Sequence, residues 1–537
     1  MFGDYQPNRF GPSRSPIICK NGAVATSQPL AAQAGLKILQ EGGNAVDSAV
    51  ATAAVLNVVE PMSTGIGGDA FALVYMQTEK KLVGLNASGR SAYAADPELL
   101  LHRGLTTIPA YHDLRACNVP GAFDGWTQLI ERYGSMSMSE VLQPAIDYAE
   151  NGFPVSPQIG KSWSKSVRML SYCENARQTY LTNGRSPKIG EVFQIKTLAR
   201  TLQLLAEGGR RAFYEGEIAQ QIVQYSNRNN GWLSMKDFQD HTSEWVEPIC
   251  TNYGGYQVYE LPPNGQGIAV LIALNIMRQF EQDQVPFDSP DRFHLMIEAM
   301  KLGLVDLHQH VTDPTFSDIP VSQLLSLSYA KKQAKRINMR SSLPSVDLTQ
   351  STVGYDTVYL SVVDGNRNVV SFINSLFHQF GSYLVAGNTG ILLQNRGAGF
   401  SLDCDHVNYL APHKRTLHTI IPGMMMKDGI PLMPFGVMGG PMQPQGHLQL
   451  ISNLVDYNMD IQSALDAPRF QVMLDGKIAV EESFRLEVLK ALESKNHQLL
   501  LGSDTFFGGG QAILVDPEND TLIAGSDPRR DGCAVGY

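Results

Sequence analysis

The stretch Tyr355-Asp-Thr-Val-Tyr-Leu-Ser-Val-Val-Asp364, followed by Gly365-Asn-Arg-Asn368 and Val369-Val-Ser-Phe-Ile373, is typical of a β-hairpin. Residues with high β-propensity dominate both arms, and the Gly and Asn residues between them favour a turn. The hairpin follows a segment rich in Ser, Thr, Pro and Asp, residues 341–356, which we predict to be an accessible linker. The patterns before this linker are mostly helical, whereas those after it are short strands and turns.

Thr357 is the first strand residue after the linker. A threonine hydroxyl is a weak nucleophile unless a base lies next to it. If the chain were cut before Thr357, the new α-amino group, with a reference pKa of about 7.7–8.0, would be such a base near pH 7. Taken alone, the local sequence fits an ordinary strand threonine better, because β-branched residues favour strands.

The composition excludes several classes of protein. Of the 537 residues, 43% are hydrophobic and 18% are charged, which is typical of a globular enzyme. The net charge of −10 repels phosphate backbones, so we expect no nucleic-acid partner. The longest apolar stretch, residues 49–59, is too short to span a membrane, and no signal peptide is visible. Six scattered cysteines without a C-x-x-C pair indicate free thiols, so we expect a cytoplasmic protein.

Motifs along nearly the whole chain resemble those of the γ-glutamyltransferase family. In the first part they are Ala25-Thr-Ser-Gln-Pro-Leu30, Gly42-Gly-Asn-Ala45, Gly65-Ile-Gly-Gly-Asp69, Val119-Pro-Gly121 and Pro262-Pro263. In the second part they are the hairpin beginning at Tyr355, Phe380-Gly-Ser-Tyr-Leu-Val-Ala-Gly387, Gly390-Ile-Leu-Leu393, Lys414-Arg415, Gly439-Gly440, Ala467-Pro-Arg469 and Ser526-Asp-Pro-Arg529. All of them stand in the order of the family.

The resemblance implies a mixed α/β fold, the four-layer αββα sandwich of N-terminal nucleophile hydrolases. It also implies autocatalytic cleavage between Asp356 and Thr357. The large subunit would be residues 1–356 and the small catalytic subunit residues 357–537. We expect the two fragments to interleave into one fold and to stay associated, and further oligomerisation is left open.

The resemblance assigns catalytic roles to four residues. Thr357 would be the nucleophile, and the Ser375 hydroxyl would hydrogen-bond to it, although a solvent-facing strand serine fits the sequence equally well. Backbone amides of Gly439 and Gly440 would form the oxyanion hole, because without a Cβ they can point together at one atom. A plain turn is the more common use of a Gly-Gly pair.

The expected substrate contacts depart from those of glutathione-cleaving members. Gly399 stands where such members have a carboxylate for the α-amino group of the substrate. Arg396, close before it, brings a planar cation suited to a carboxylate. Arg90 lies one position from the family arginine that binds a carboxylate, and His418 and Thr419 replace a substrate-contacting serine pair. Surface ion pairs, or exposed strand residues, are the alternatives for these four side chains.

These departures resemble the cephalosporin-acylase-like or oxamate-amidohydrolase-like branch of the family. The expected function is hydrolysis of a small amide whose acyl group carries a carboxylate, through an acyl-enzyme, without a metal or cofactor. The short segment of residues 402–412 implies an open site that favours hydrolysis over transfer. One alternative is a glutathione hydrolase or γ-glutamyltransferase. The other is an unprocessed, non-catalytic binding scaffold, which Val358 leaves open because many relatives have a hydroxyl residue there.

Overall fold

A computed structural model describes residues 3, 5, 10–11, 13–281, 285–344, 355–502 and 506–537. Of residues 355 and 356 it describes the backbone only. Residues 345–354 of the predicted linker lie outside the described residues.

The strands are β1 Ile17–Cys19, β2 Ala23–Thr26, β3 Asp69–Met76, β4 Lys81–Ala87, β5 Phe153–Pro154, β6 Val192–Phe193, β7 Glu244–Val246, β8 Ile249–Tyr253, β9 Tyr256–Glu260, β10 Tyr355–Val363, β11 Val369–His378, β12 Gly423–Lys427, β13 Ile430–Met438, β14 Phe470–Val472, β15 Ile478–Val480, β16 Leu499–Leu501, β17 Gly509–Asp516, β18 Thr521–Ser526 and β19 Cys533–Gly536. The α-helices are α1 Pro29–Gln40, α2 Ala45–Val59, α3 Pro97–His102, α4 Ala122–Tyr133, α5 Met138–Asn151, α6 Pro157–Leu170, α7 Glu174–Tyr180, α8 Lys196–Tyr214, α9 Glu217–Arg228, α10 Met235–Gln239, α11 Ile268–Met277, α12 Pro290–His310, α13 Val321–Leu324, α14 Leu327–Ala334, α15 Met442–Val455, α16 Ile461–Asp466 and α17 Leu486–Ser494.

Two antiparallel sheets form the centre of the molecule. The front sheet has the order β19-β2-β10-β11-β3-β4-β7, and the back sheet has the order β1-β18-β17-β13-β12-β9-β8. The predicted hairpin is present as β10 and β11, which pair with each other in the middle of the front sheet. Smaller sheets, β14-β15-β16 and β5-β6, lie outside this pair.

The side chains of β10 alternate between two cores, which shows how the layers of the sandwich stack. Val358, Leu360 and Val362 pack into the same core as helices α1 and α2. Tyr359 and Val363 point to the other face, where they pack against residues of the back sheet. Because successive strand side chains point to opposite faces, each face of β10 belongs to a different core.

Helices cover the outer faces of both sheets. Every residue of α2 is buried, and a capping box between Asn44 and Asp47 defines the start of this helix. Helices α11, α12 and α15 form a separate core with the outer face of the back sheet. The order helix, sheet, sheet, helix confirms the expected αββα sandwich. Within the described residues, none of the helices is long and apolar enough to cross a membrane.

Candidate active site

Thr357 lies at the beginning of β10, at the end of the space between the sheets. The pairing of β10 with β11 shifts between Asp356 and Val358, so a β-bulge takes Thr357 out of the regular ladder. Thr357 is 1% exposed and shares the inter-sheet face with Tyr359. Its Oγ1 donates a hydrogen bond to Oγ of Ser375 over 3.1 Å. The structure therefore brings together the two hydroxyls that the sequence paired.

Ser375 lies near the end of β11 and is buried, which excludes a solvent-facing serine. Its Oγ also accepts a hydrogen bond of 2.9 Å from the backbone N–H of Phe377. Phe377 has a φ of 82°, an unusual conformation for an aromatic residue. This backbone turn points the Phe377 amide back at the serine, and the Ser375 oxygen is thereby held beside Thr357.

The Gly439-Gly440 pair connects the end of β13 to helix α15. Both residues have positive φ, 116° and 57°, which favours glycine at each position. The carbonyl oxygen of Gly439 accepts a hydrogen bond from the N–H of Met442 in the first turn of α15, over 3.1 Å. In a planar trans peptide the following N–H, that of Gly440, points the opposite way. The Gly440 amide thus points away from the helix, an orientation compatible with an oxyanion hole. Because the bond between residues 439 and 442 also occurs in an ordinary β-turn, the oxyanion-hole role stays a prediction.

Arg396 is a buried cation close to the two hydroxyls. It is 1% exposed, and its Nη1 donates a hydrogen bond of 2.6 Å to Oγ1 of Thr419. The guanidinium carbon lies 4.3 Å from the centre of the Phe377 ring, a cation–π contact. Phe377 thus contacts both the serine beside Thr357 and the arginine. Neither Arg396 nor Thr419 is a surface residue.

Asp69 is a site residue to which the sequence analysis gave no role. It begins β3 and is fully buried, and its side chain accepts hydrogen bonds from Gly89 N at 2.8 Å and Gln394 Nε2 at 3.0 Å. His418 Nε2 lies 3.0 Å from the other carboxylate oxygen, and Arg396 Nε lies 3.9 Å away. The sequence signal that could have identified this residue is a carboxylate directly after a Gly-rich turn, at the start of an apolar strand.

His418 is a neutral imidazole in this arrangement. Its Nδ1 accepts a hydrogen bond from the backbone N–H of Ile420, so Nε2 carries the proton and donates to Asp69. Burial, followed by the positive charge of Arg396, lowers the pKa of His418 to about 4. The histidine is buried, not exposed on a strand, and it adds no positive charge to the site near neutral pH.

Arg90 is engaged elsewhere. Its Nη1 donates to Asp313 over 2.6 Å, and its Nη2 donates to Glu244 over 3.2 Å. Arg415 shares both acidic partners, donating its backbone N–H to Asp313 and Nη1 to Glu244. These contacts favour a structural role for Arg90, whereas its predicted contact with substrate stays a prediction.

One buried group of possible metal ligands occurs among the described residues. The ligand atoms of His294, Glu298 and His497 lie within 4.8 Å of one another. His294 Nε2 donates to the carbonyl oxygen of Asn338 at 3.0 Å, so its Nδ1 accepts from His497 Nε2 at 2.7 Å. Lys301 Nζ lies 2.8 Å from Glu298, and its charge opposes a cation there. These contacts are explained as a polar network, and the expectation of a metal-free enzyme stays a prediction.

Comparisons with known proteins agree with the fold and with these motifs. The family model described as Gamma-glutamyltranspeptidase matches residues 31–537. The glutathione hydrolase-like YwrD proenzyme of Bacillus subtilis (strain 168) is 40% identical over 528 residues, covering 97% of this chain and 99% of that protein. The oxamate amidohydrolase proenzyme of Klebsiella pneumoniae subsp. pneumoniae is 30% identical over 531 residues, with coverages of 97% and 99%.

A solved structure supports the same relationship. The crystal structure of cephalosporin acylase from Bacillus halodurans matches with a TM-score of 0.93 and 43% sequence identity, covering 100% of this chain and 99% of that chain. The match extends over both sheets and both helical layers. The chain belongs to the γ-glutamyltranspeptidase family of N-terminal nucleophile amidohydrolases.

Proposed function

We propose that the chain cleaves itself between Asp356 and Thr357, and that Thr357 then hydrolyses amides whose acyl group carries a carboxylate. One observation carries the proposal, namely that Phe377 links a hydroxyl pair to a buried cation. Its N–H holds Ser375 beside Thr357, and its ring lies under Arg396. Phe377 therefore lies between the proposed nucleophile, Thr357, and the proposed carboxylate-binding group, Arg396.

Self-cleavage would begin with attack of Thr357 Oγ1 on the carbonyl carbon of Asp356. The peptide C–N bond breaks, an ester forms, and the nitrogen leaves as the α-amino group of Thr357. Water then hydrolyses the ester, releasing a carboxylate at Asp356 and the threonine hydroxyl. The β-bulge supports this step, because it removes the scissile region from the regular hydrogen-bond ladder. The products are residues 1–356 and 357–537.

In turnover, the α-amine of Thr357 takes the proton of its own hydroxyl as the oxygen attacks the substrate amide. Amides of Gly439 and Gly440 stabilise the negative oxygen of the tetrahedral intermediate. The C–N bond of the substrate breaks, and the leaving amine takes the proton from the Thr357 ammonium. The amine then activates water, which hydrolyses the acyl ester and releases a carboxylic acid.

The charges around Arg396 favour an acyl group that carries a carboxylate and no α-amino group. Arg396 and Thr419 together present a cation and a hydroxyl to such a carboxylate. The nearby carboxylate of Asp69 already accepts hydrogen bonds from Gly89, Gln394 and His418. Asp69 is therefore a poor partner for an ammonium group of the substrate.

Glutathione hydrolysis is the second candidate. It is favoured by the name of the Bacillus subtilis relative, which is 40% identical to this chain. It differs from the first candidate in requiring recognition of an α-amino group. The substrates that separate the two candidates are therefore matched acyl groups with and without that amine.

The test uses mass analysis and three p-nitroanilides. Intact-mass analysis of the purified wild type should find two fragments, whereas Thr357→Ala should remain one chain without turnover. Pentanoyl, glutaryl and γ-glutamyl p-nitroanilide differ by a carboxylate and then by an α-amino group. We expect the highest kcat/KM for the glutaryl compound. A higher value for the γ-glutamyl compound would favour glutathione hydrolysis, and turnover by an uncut chain would refute the mechanism.

A further inference from the structure

Gln266 is a buried glutamine in the loop between β9 and α11. It is 2% exposed, and its backbone N–H donates to the carbonyl oxygen of His418 over 2.9 Å. Its side-chain Nε2 donates to two backbone carbonyls, those of Thr419 and Gly440, the second over 2.9 Å. One amide group thus bridges two parts of the site: the segment before β12 that contains Thr419, the partner of Arg396, and the glycine pair of the expected oxyanion hole.

Gly440 depends on outside contacts for its conformation. A glycine has little intrinsic preference between left-handed and right-handed backbone regions. Its carbonyl is held by two donors, Gln443 N at 3.1 Å and Gln266 Nε2 at 2.9 Å. The N–H of Gly440 lies in the preceding peptide plane, whose Gly439 carbonyl accepts from Met442 N, and the two planes meet at the Gly440 Cα. Holding the Gly440 carbonyl therefore restricts rotation about this Cα and limits the movement of the N–H group.

The Gln266 side chain also contacts Thr419, which together with Arg396 forms the proposed carboxylate-binding pair. Thr419 accepts a hydrogen bond from Arg396 through its hydroxyl and one from Gln266 through its carbonyl. Gln266 precedes the cleavage site, whereas Thr419, Arg396 and Gly440 follow it. After processing, the longer fragment would therefore still hold these two parts of the site in place through one amide.

We propose that Gln266 is a positioning residue, which holds the Gly440 amide in the orientation needed to stabilise the oxyanion. This inference rests on the proposed function of Thr357. Preorganised donors lower the activation barrier because they need not reorient when negative charge develops. Loss of the Gln266 amide should therefore lower kcat more than it raises KM.

Two substitutions and one matched control test the inference. Gln266→Met keeps the approximate volume but removes both donors. Gln266→Glu keeps the shape, and its carboxylate repels the two carbonyls, whereas its neutral form donates one hydrogen bond. The control is Gln449→Met in α15, because Gln449 is also buried and its Nε2 also donates to two backbone carbonyls, at 2.9 and 3.0 Å.

Each variant is first checked by intact mass and normalised to its processed fraction. With glutaryl p-nitroanilide we expect Gln266→Met to lower kcat about 10- to 50-fold, part of the 10²- to 10³-fold loss seen when an oxyanion donor is removed. KM should change less than about threefold. Gln449→Met should lower the melting temperature at least as much as Gln266→Met does, since it loses two such bonds and also the one that Phe470 N donates to its Oε1. It should leave kcat within about twofold.

The pH dependence of Gln266→Glu provides a readout that a purely structural role would not move. Burial raises the pKa of a carboxyl group, so the neutral form should predominate as the pH is lowered. We expect the activity of this variant, relative to the wild type, to rise about fivefold or more between pH 8.5 and 6. Gln266→Met should show no such rise.

The outcomes separate the two proposals. If the wild type neither cuts itself nor hydrolyses the amides, the proposed function fails whatever Gln266 does. If the wild type is active and Gln266→Met keeps kcat within twofold, or loses it no more than Gln449→Met, the positioning role is refuted. A ratio of Gln266→Glu to wild-type activity that does not change with pH would refute it as well, even if Gln266→Met failed to fold.

Discussion

Replacing Arg396 by methionine should change which acyl group the enzyme prefers. Arg396→Met keeps an unbranched apolar side chain over the Phe377 ring but removes the charge and the bond to Thr419. We expect kcat/KM for glutaryl p-nitroanilide to fall far more than kcat/KM for pentanoyl p-nitroanilide. The physical reason is that only the glutaryl group offers a negative charge to this cation.

The magnitude follows from the burial of the site. A hydrogen bond to a charged group contributes about 1.5–3 kcal/mol, and each 1.4 kcal/mol corresponds to a factor of ten. Because Arg396 is 1% exposed, its bond to a carboxylate is shielded from water, and its contribution should lie near the upper end of this range of free energies. We therefore expect a loss of about 30- to 150-fold for the glutaryl compound. The loss for the pentanoyl compound should be under about threefold.

Arg396→Met should also lower the stability of the protein. The loss should be smaller than that caused by breaking a buried ion pair whose members are hydrogen-bonded to each other. Asp69 loses a cation whose Nε lies 3.9 Å away, but it keeps its bonds from Gly89, Gln394 and His418. We expect a decrease of about 1–2 kcal/mol in the free energy of unfolding, against about 3–5 kcal/mol for a fully broken pair. Urea unfolding of the processed protein measures this decrease.

A matched control is available in Arg90, whose partners are Asp313 and Glu244. If these contacts are structural, Arg90→Met should alter kcat/KM for the two p-nitroanilides by the same factor. Binding of the substrate carboxylate by Arg396 is refuted if Arg396→Met also lowers both kcat/KM values equally, leaving a coupling energy under about 0.5 kcal/mol. A selective loss in Arg90→Met would instead restore Arg90 as a substrate contact.

Three further predictions concern the nucleophile, the oxyanion loop and the buried histidine. Thr357→Ser should still cut itself, though more slowly, and give the same two fragments by intact mass, whereas a variant without a hydroxyl should stay uncut. Gly439→Ala should lose about 1–3 kcal/mol in urea unfolding, because φ is 116° and a Cβ would lie 3.1 Å from the Gly508 backbone, and its kcat should fall while KM changes little. His418 has a folded pKa of about 4 against about 6.5 unfolded, so between these values only the unfolded chain binds the proton and stability falls as pH is lowered. His418→Gln should remove up to about 3 kcal/mol of that pH dependence, and an unchanged slope in pH-dependent urea unfolding would contradict the assignment.

Local patterns predicted those parts of the fold that depend on local interactions. The β-branched arms around Gly365 became β10 and β11. The apolar stretch of residues 49–59, too short for a membrane span, lies in α2, a helix buried on every side. In each of these cases the preference arises within a few residues of the chain, so periodicity and turn chemistry are sufficient to detect it.

The candidate site could be predicted only in part, because its partners are far apart in the chain. The Asp69–His418 contact joins residues 349 positions apart, and the Gln266–Gly440 contact joins residues 174 apart. No local pattern marks such pairs, and the resemblance assigned a role to only one residue of each pair. Arg90 is a case in which the resemblance predicted a contact that the fold does not favour. Its position next to that of the family arginine predicted a substrate contact, whereas in the fold its guanidinium binds Asp313 and Glu244.

The same long-range pairing explains why both fragments would be needed after processing. In the front sheet, β10 and β11 follow the cleavage site but lie between β2 and β3, which precede it. In the back sheet, β12 pairs with β9 and β18 pairs with β1, again joining the two sides of the cut. Separating the fragments would break backbone ladders in the middle of the front sheet and would expose both faces of a buried strand to water. The cut would therefore release the amine of Thr357 without releasing Asp69 or Gln266, and a site assembled from both fragments would remain intact.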